Sequence, residues 1–320
     1  MGLKKDGRIV ITGGAGFIAK YVIRELNQKN FTNIVLFERY DQMSLEKFSN
    51  LQGLFFCSLE SHLNLENYLE DEKEQIQAII HLGANASTVG IDAEDYLWNN
   101  YECSKMLLDF SVENNLRFIY ASSASVYGDG TKGFDDSTFL FKKLRPLNHY
   151  ACTKLLFDQY VIDSQLEEKV LGLRFFNVFG ADRSKGDMRS IVTRAYEMIQ
   201  ERKSMELFDV KAERDFVWAG DVARFIVESI PIRSCGIVNF GTGTATSFKQ
   251  MCDTVFEQLQ IDADYDWISL PDHLKGKYQH HTLSDTRKLN EILGAYNYQF
   301  KFTSLREAIQ KTVQELQGEA

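Results

Sequence analysis

The strongest constraint on the fold lies near the N-terminus. The short apolar run Arg8-Ile9-Val10-Ile11 stops at Thr12-Gly13-Gly14-Ala15-Gly16, and a helical pattern through Phe17, Ile18, Val22, Ile23 and Leu26 follows. Strand, glycine turn and helix in that order give Gly-x-x-Gly-x-x-Gly spacing its meaning. Residues without side chains let the backbone approach a pyrophosphate, and the helix behind them offers N–H groups and a positive dipole end. Ala19 stands at the third glycine position, small enough for helix to pack on strand. A second apolar run, Asn33 to Phe37, ends at Glu38, about 20 residues beyond the turn, where an acid binds an adenosine ribose. The carboxylate favours NAD. Arg39, or Lys47 a little further on, could instead take the extra phosphate of NADP, or either could be a solvated surface charge.

Strand and helix signals then alternate. Ala78 to Leu82 reads as a buried strand leading to Gly83 and Ala84, residues 97 to 115 as a helix, and Arg117 to Ala121 as a strand ending at Ser122 and Ser123. The next strand is Val170 to Phe175. Such alternation predicts an α/β fold with a parallel, doubly wound sheet and ligands at the carboxyl ends of its strands, where the glycine turn, Ser123 and Asn177 fall.

Beyond Asn177 the rhythm loosens. Residues 190 to 203 look helical, Leu207-Phe208 is a short strand, and Arg214 to Trp218 leads to Asp221 as a helix N-cap. A strand at Gly236 to Phe240 follows, and Ser247 with Gln250, and Ser304 with Glu307, have capping-box spacing. The expected division is a dinucleotide-binding domain over 1–176, 217–242 and 279–303, interleaved with a smaller α/β substrate domain over 177–216, 243–278 and 304–320.

Charge and cysteine content exclude some functions. With 36 basic and 45 acidic residues among 320, the chain has no excess of cations for a general nucleic-acid or anionic-membrane surface. Five scattered cysteines without a Cys-x-x-Cys pair read as reduced and cytoplasmic, with no zinc site, and the His280-His281 pair reads as surface. No stretch approaches the length of a membrane span.

Near the middle stands Tyr150-Ala151-Cys152-Thr153-Lys154. On a helix, residues four apart share a face, so the phenol and the ammonium can serve one space. A tyrosine ionises near about 10, and a neighbouring cation favours the phenolate and so a proton acceptor nearer neutral pH. Alone, the pair is commonplace. Its company is not: Thr12-Gly13-Gly14-Ala15-Gly16-Phe17-Ile18, Ala121-Ser122-Ser123-Ala124-Ser125-Val126-Tyr127-Gly128, Arg174-Phe175-Phe176-Asn177-Val178-Phe179-Gly180 and Arg214-Asp215-Phe216-Val217 occur in order around it.

Together these residues resemble the extended short-chain dehydrogenase/reductases of the NAD-dependent nucleotide-sugar epimerase and dehydratase group. Within that group the chain is most similar to the ADP-glyceromanno-heptose 6-epimerases, on Asn99-Asn100-Tyr101 with Ser104-Lys105, Lys185-Gly186 with Met188 and Ser190, and Pro271-Asp272-His273-Leu274-Lys275-Gly276-Lys277-Tyr278-Gln279. The resemblance implies Tyr150 as catalytic acid/base, Lys154 on the nicotinamide ribose, Ser123 on the reacting oxygen and Lys185 as a second acid/base. It implies cofactor contacts at Gly13, Gly16, Phe17, Ile18, Glu38, Arg39, Lys47, Leu82, Gly83, Ala84, Asn99, Lys154 and Val178. Substrate contacts are implied at Ser123, Asn177, Lys185, Arg194, Phe208, Arg214 and Tyr278. It also implies NADP, with NAD as the alternative, an ADP-sugar substrate in lipopolysaccharide core precursor synthesis, and a homo-oligomer, a pentamer.

Some positions depart from the family pattern. Glu38-Arg39 stands where Asp-Asn is typical, Arg183-Ser184 before Lys185 is a residue short, and Leu82-Gly83 replaces the usual acid after histidine. A 4,6-dehydratase would want an Asp-Glu pair after Ser123, where Ala124-Ser125 stand. A UDP-hexose 4-epimerase is the rival enzyme. A non-catalytic dinucleotide sensor is the rival of another class, though such proteins commonly lose the Tyr-x-x-x-Lys pair.

Overall fold

A computed structural model describes residues 4–87, 92–184, 186, 189–233, 235–276 and 278–318. Seven strands form the central sheet: β1 (Arg8–Thr12), β2 (Ile34–Glu38), β3 (Ser58–Ser61), β4 (Ile76–His81), β5 (Arg117–Ser123), β6 (Val170–Phe175) and, after three strands outside the sheet, β10 (Gly236–Phe240). Their spatial order is β10-β6-β5-β4-β1-β2-β3, and every neighbouring pair is parallel. Strand order reverses between β1 and β4, which opens a crevice at their carboxyl ends, the usual ligand position in such sheets.

The apolar runs are continuous because both faces of the sheet are covered. Ile9, Ile11, Ile34, Leu36, Ile80 and Ile119 pack under the helices Phe17–Gln28 and Ala219–Glu228. Their alternates Val10, Val35, Phe37, Ile79 and Phe118 pack on the opposite face under Cys103–Glu113 and His149–Asp163. Ala19 is buried between the first helix and the sheet, the close approach its size permits.

A smaller domain is built on β7 (Asn177–Phe179), β8 (Met205–Phe208), β9 (Glu213–Trp218), β11 (Ala245–Ser247) and β12 (Tyr265–Ile268). Here β9 pairs parallel with β7 and antiparallel with β11, while β8 pairs parallel with β12. Its core joins Phe179, Val192, Phe216, Met251, Val255, Ile309 and Val313. Glu315 of the last helix accepts from Lys20 Nζ, Tyr21 OH and Arg24 Nη2 at 2.9, 2.7 and 3.0 Å, tying this domain to the helix behind the glycine turn.

Two local expectations change. Asp221 is not the N-cap of its helix: Trp218 holds that position, and Asp221 sits buried in the first turn, accepting from Thr303 N and Oγ1 and from Arg224 Nη2. The helix expected over 97 to 115 instead starts at Ala93, on an Asp92 cap, and makes a π-type turn over Leu97–Glu102 before Cys103–Glu113. That turn presents Asn100 inward.

Candidate active site

At the end of β1, Gly13 adopts φ +66°, and a Cβ there would stand 2.7 Å from Gly83 Cα in the loop after β4. Two backbones therefore meet at a contact no side chain allows. Gly16 precedes the first helix, whose N-terminus has no side-chain cap among the described residues. Bare turn and uncapped helix together fit a pyrophosphate. Leu82 donates its N–H to the Thr12 carbonyl at 3.2 Å, so Leu82 and Gly83 stand against the turn, with Ala84 next in the same loop. Phe17 is buried, while Ile18 and Val178, half-buried, pack against the same core.

Behind the turn runs a chain of hydrogen bonds whose directions are mutually fixed. Ser104 Oγ donates to the Asn100 carbonyl at 2.7 Å, so it accepts from His81 Nε2–H at 2.8 Å. The other ring nitrogen, Nδ1, then accepts from Thr12 Oγ1 at 2.6 Å, and Thr12 Oγ1 accepts from Gly83 N at 3.3 Å. Burial first, and the Lys154 cation second, push His81 down to about 3, which keeps the ring neutral for this pattern. Onward, the Asn100 side chain accepts from Asn85 N and donates to Asn85 O and Thr153 Oγ1, and Thr153 Oγ1 donates to the Tyr150 carbonyl at 2.9 Å. The glycine turn and the Tyr150 helix are thus held in one register.

That helix, His149–Asp163, starts on an Asn148 cap whose Oδ1 accepts from Ala151 N at 2.9 Å. The Ser123 hydroxyl, on the last residue of β5, is near enough to Tyr150 to oppose the rise of its pKa. Ser123 Oγ already accepts from Ser125 N and Ser125 Oγ at 3.2 and 2.9 Å, so its own hydrogen is left for an acceptor in the site. Ser125 is a site residue that the sequence did not suggest; the Ser-x-Ser spacing at a strand end was its signal.

Lys154 behaves differently from the expectation that it would draw Tyr150 towards neutrality. Its Nζ donates to the Ala121 carbonyl at 2.7 Å and lies 6.0 Å from the Tyr150 ring centroid. Burial raises the Tyr150 pKa, an effect that the Ser123 hydroxyl opposes and the Asp158 carboxylate adds to. Tyr150 is therefore a neutral phenol that holds its proton in the protein alone.

Burial also lowers Lys154 from 10.5 to about 8, with Asp158 and Cys103 acting against the shift. Because the unfolded chain binds this proton more tightly than the folded one, the penalty is complete below about 8 and relieved as pH rises towards 10.5. Wild-type stability should therefore rise relative to Lys154→Met across that window, at up to about 1.4 kcal/mol per pH unit. Urea unfolding at several pH values measures it; parallel pH curves would contradict it.

Three expected substrate residues come together on the smaller domain. The Arg214 guanidinium, on β9 and 5% exposed, lies 5.2 Å from the Tyr278 ring centroid and 5.5 Å from that of Phe248. Tyr278 meets Phe208, at the end of β8, edge to face at 5.9 Å. Arg214 donates to the carbonyls of Glu213 and Gln279, and burial lowers its pKa. Asn177 is exposed at the start of β7, beside Phe216 of β9.

Arg194 stands apart from this cluster, paired with Glu206 at 3.0 Å. Lys185 lies outside the described residues; Ser184 before it accepts from Asn50 Nδ2 at 3.3 Å, and Asn50 also donates to Ala15 O in the glycine turn. At the end of β2, Glu38 accepts from Ala15 N and pairs with Lys47, while Arg39 and Asn99 both bind Asp95.

Comparison with known proteins gives the family and the fold. The model of the NAD dependent epimerase/dehydratase family matches residues 9–234. Among solved structures, the Helicobacter pylori ADP-L-glycero-D-manno-heptose-6-epimerase superposes with a TM-score of 0.80 at 26% identity, covering 98% of this chain and 97% of that one. A UDP-N-acetylglucosamine 4-epimerase from Methanobrevibacter ruminantium gives 0.80 at 21% identity over 99% and 100%. A Bacillus cereus UDP-glucuronic acid 4-epimerase, solved with UDP-glucuronic acid and NAD, gives 0.78 at 22% over 98% and 100%. The chain belongs to the NAD-dependent epimerase/dehydratase family.

Proposed function

We propose that this protein is a nucleotide-sugar epimerase that inverts C6 of an ADP-linked manno-heptose through transient oxidation. The observation that carries the reading is that the Arg214–Tyr278–Phe208 cluster is tied to the loop that follows Ser123: Gln279, next to Tyr278, accepts from Arg214 through its carbonyl and donates from Nε2 to the Gly128 carbonyl, while Ser123, Tyr150 and Lys154 stand at the end of β5 and on the following long helix. Those three can handle a sugar hydroxyl. The cluster offers a cation and aromatic faces to a nucleoside diphosphate. The heptose is favoured over other sugars by the Pro271 to Gln279 segment, which contributes Tyr278, and by the 26% identity to the Helicobacter pylori enzyme.

A nicotinamide dinucleotide, when bound, supplies the hydride acceptor and donor. The residues do the rest. Ser123 holds the reacting oxygen, Tyr150 carries its proton, and Lys154 fixes the floor of the site through Ala121 and would hold the nicotinamide ribose. Inversion leaves the oxygen on opposite sides before and after, so a second proton carrier is required, and Lys185 takes that role. The exposed Leu97, Trp98 and Leu156, on neighbouring helices, suit burial against a second copy of the chain.

The test offers purified protein ADP-D-glycero-D-manno-heptose and, separately, UDP-galactose. Conversion of the heptose alone is expected; conversion of UDP-galactose alone would assign the protein to the 4-epimerases, and conversion of neither would sink the reading.

A further inference from the structure

We propose that the adenosine end of this crevice is built for NAD rather than NADP, and that Asp95, reaching in from the helix after β4, sets that preference by committing the charge of Arg39. The proposal rests on the reading of the crevice as a dinucleotide site.

A 2′-phosphate needs an uncommitted cation and no carboxylate beside it, whereas a ribose diol needs an acceptor. Glu38 is that acceptor. Only 5% exposed, it is aimed at the glycine turn by bonds from Ala15 N at 3.1 Å and Arg39 N at 2.9 Å. A phosphate beside it would meet like charge where water is scarce.

Neither nearby cation is free to offset this. Lys47 Nζ is bound to Glu38 itself at 2.9 Å. Arg39 lays Nε and Nη2 on the two oxygens of Asp41 at 3.3 and 2.7 Å and gives Nη1 to Asp95 Oδ1 at 2.5 Å. The Gln42 amide, turned so that its oxygen faces the guanidinium, accepts from both terminal nitrogens at 3.2 Å. A guanidinium has five N–H donors, and this one has acceptors on every nitrogen. Three carboxylates, Glu38, Asp41 and Asp95, therefore face two cations.

Asp95 is the fixed part of the clamp. Asp41 is an exposed side chain two residues from Arg39, but Asp95 is held by Asn85 Nδ2 at 2.6 Å and Asn99 Nδ2 at 2.8 Å. Its backbone N–H is capped by Asp92. Burial acts against ionisation of Asp95, and the bonds from Arg39 and Asn85 outweigh it, holding the carboxyl below its ordinary range. The anchoring partners come from the loop after β4 and from the π-type turn, so the clamp reaches across the sheet to a residue that follows β2.

The experiment strips bound nucleotide from the purified protein and titrates it with NAD⁺ and NADP⁺ by calorimetry. Wild type is expected to bind NAD⁺ at least about tenfold more tightly. The double variant Asp41→Asn/Asp95→Asn, which keeps amides for Asn85 and Asn99 to meet, should narrow that ratio by about tenfold through a gain in NADP⁺ affinity. Adding Arg39→Ala should abolish the gain. Tighter NADP⁺ binding by wild type, or an unchanged ratio in a double variant with native circular dichroism, would overturn the proposal. Binding of neither nucleotide would remove the dinucleotide reading, and this proposal with it.

Discussion

Replacing Tyr150 by phenylalanine is expected to lower kcat by about a hundred- to ten-thousand-fold, the range over which a positioned acid/base group acts. The ring and its place on the helix remain; only the phenolic oxygen goes. Ser123 beside it, accepting twice from Ser125, is oriented before substrate arrives and keeps its one hydrogen for the site. Dinucleotide binding and the unfolding midpoint should change little, because the linkage of this helix to the glycine turn uses the Tyr150 carbonyl and Thr153, not the phenol. Unimpaired turnover by the variant would remove Tyr150 from the chemistry.

The largest loss of stability should follow Arg174→Met. Arg174 and Asp158 form an ion pair at 2.9 Å with both side chains fully buried. Asp158 also accepts from Tyr120 OH and Ser122 Oγ at 2.9 Å each, and Arg174 donates to Tyr127 OH at 2.8 Å. Removing the cation leaves a buried carboxylate with neutral donors only, and breaking such a pair from one side costs about 3–5 kcal/mol. Against a total stability of about 5–15 kcal/mol, much of the protein could then unfold at physiological temperature. Removing both charges is milder: Arg174→Met/Asp158→Leu should unfold at a higher urea concentration than Arg174→Met alone. The reverse order would show that the pair is not what stabilises this region. Asp158 sits one helical turn beyond Lys154, so the same pair anchors the floor of the site.

Much of the nucleotide half is legible in the sequence. The strand, glycine turn and helix at residues 8 to 28 follow from short-range chemistry, Tyr150 with Lys154 from helical spacing, and Ser123 from its place at a strand end. What is not legible depends on partners far apart in the chain. Nothing local to Arg39 reveals that Asp95, 56 residues on, will bind it. Nothing near Asp158 reveals Arg174 on the next strand, since a lone aspartate in a helix reads as surface. The π-type turn at Leu97–Glu102 escapes because helical periodicity carries no mark of one widened turn, yet it supplies Asn100 to both Asn85 and Thr153. Arg214, Tyr278 and Phe208 are named through resemblance alone; their meeting requires β8, β9 and the segment after β12 to assemble around them.

The most direct measurement follows ADP-D-glycero-D-manno-heptose carrying deuterium at C6, incubated with the protein in ordinary water and read by NMR. Transient oxidation with return of the same hydride predicts the L-glycero epimer with deuterium still at C6. No epimer, or an epimer whose C6 deuterium has been replaced by solvent hydrogen, would contradict it.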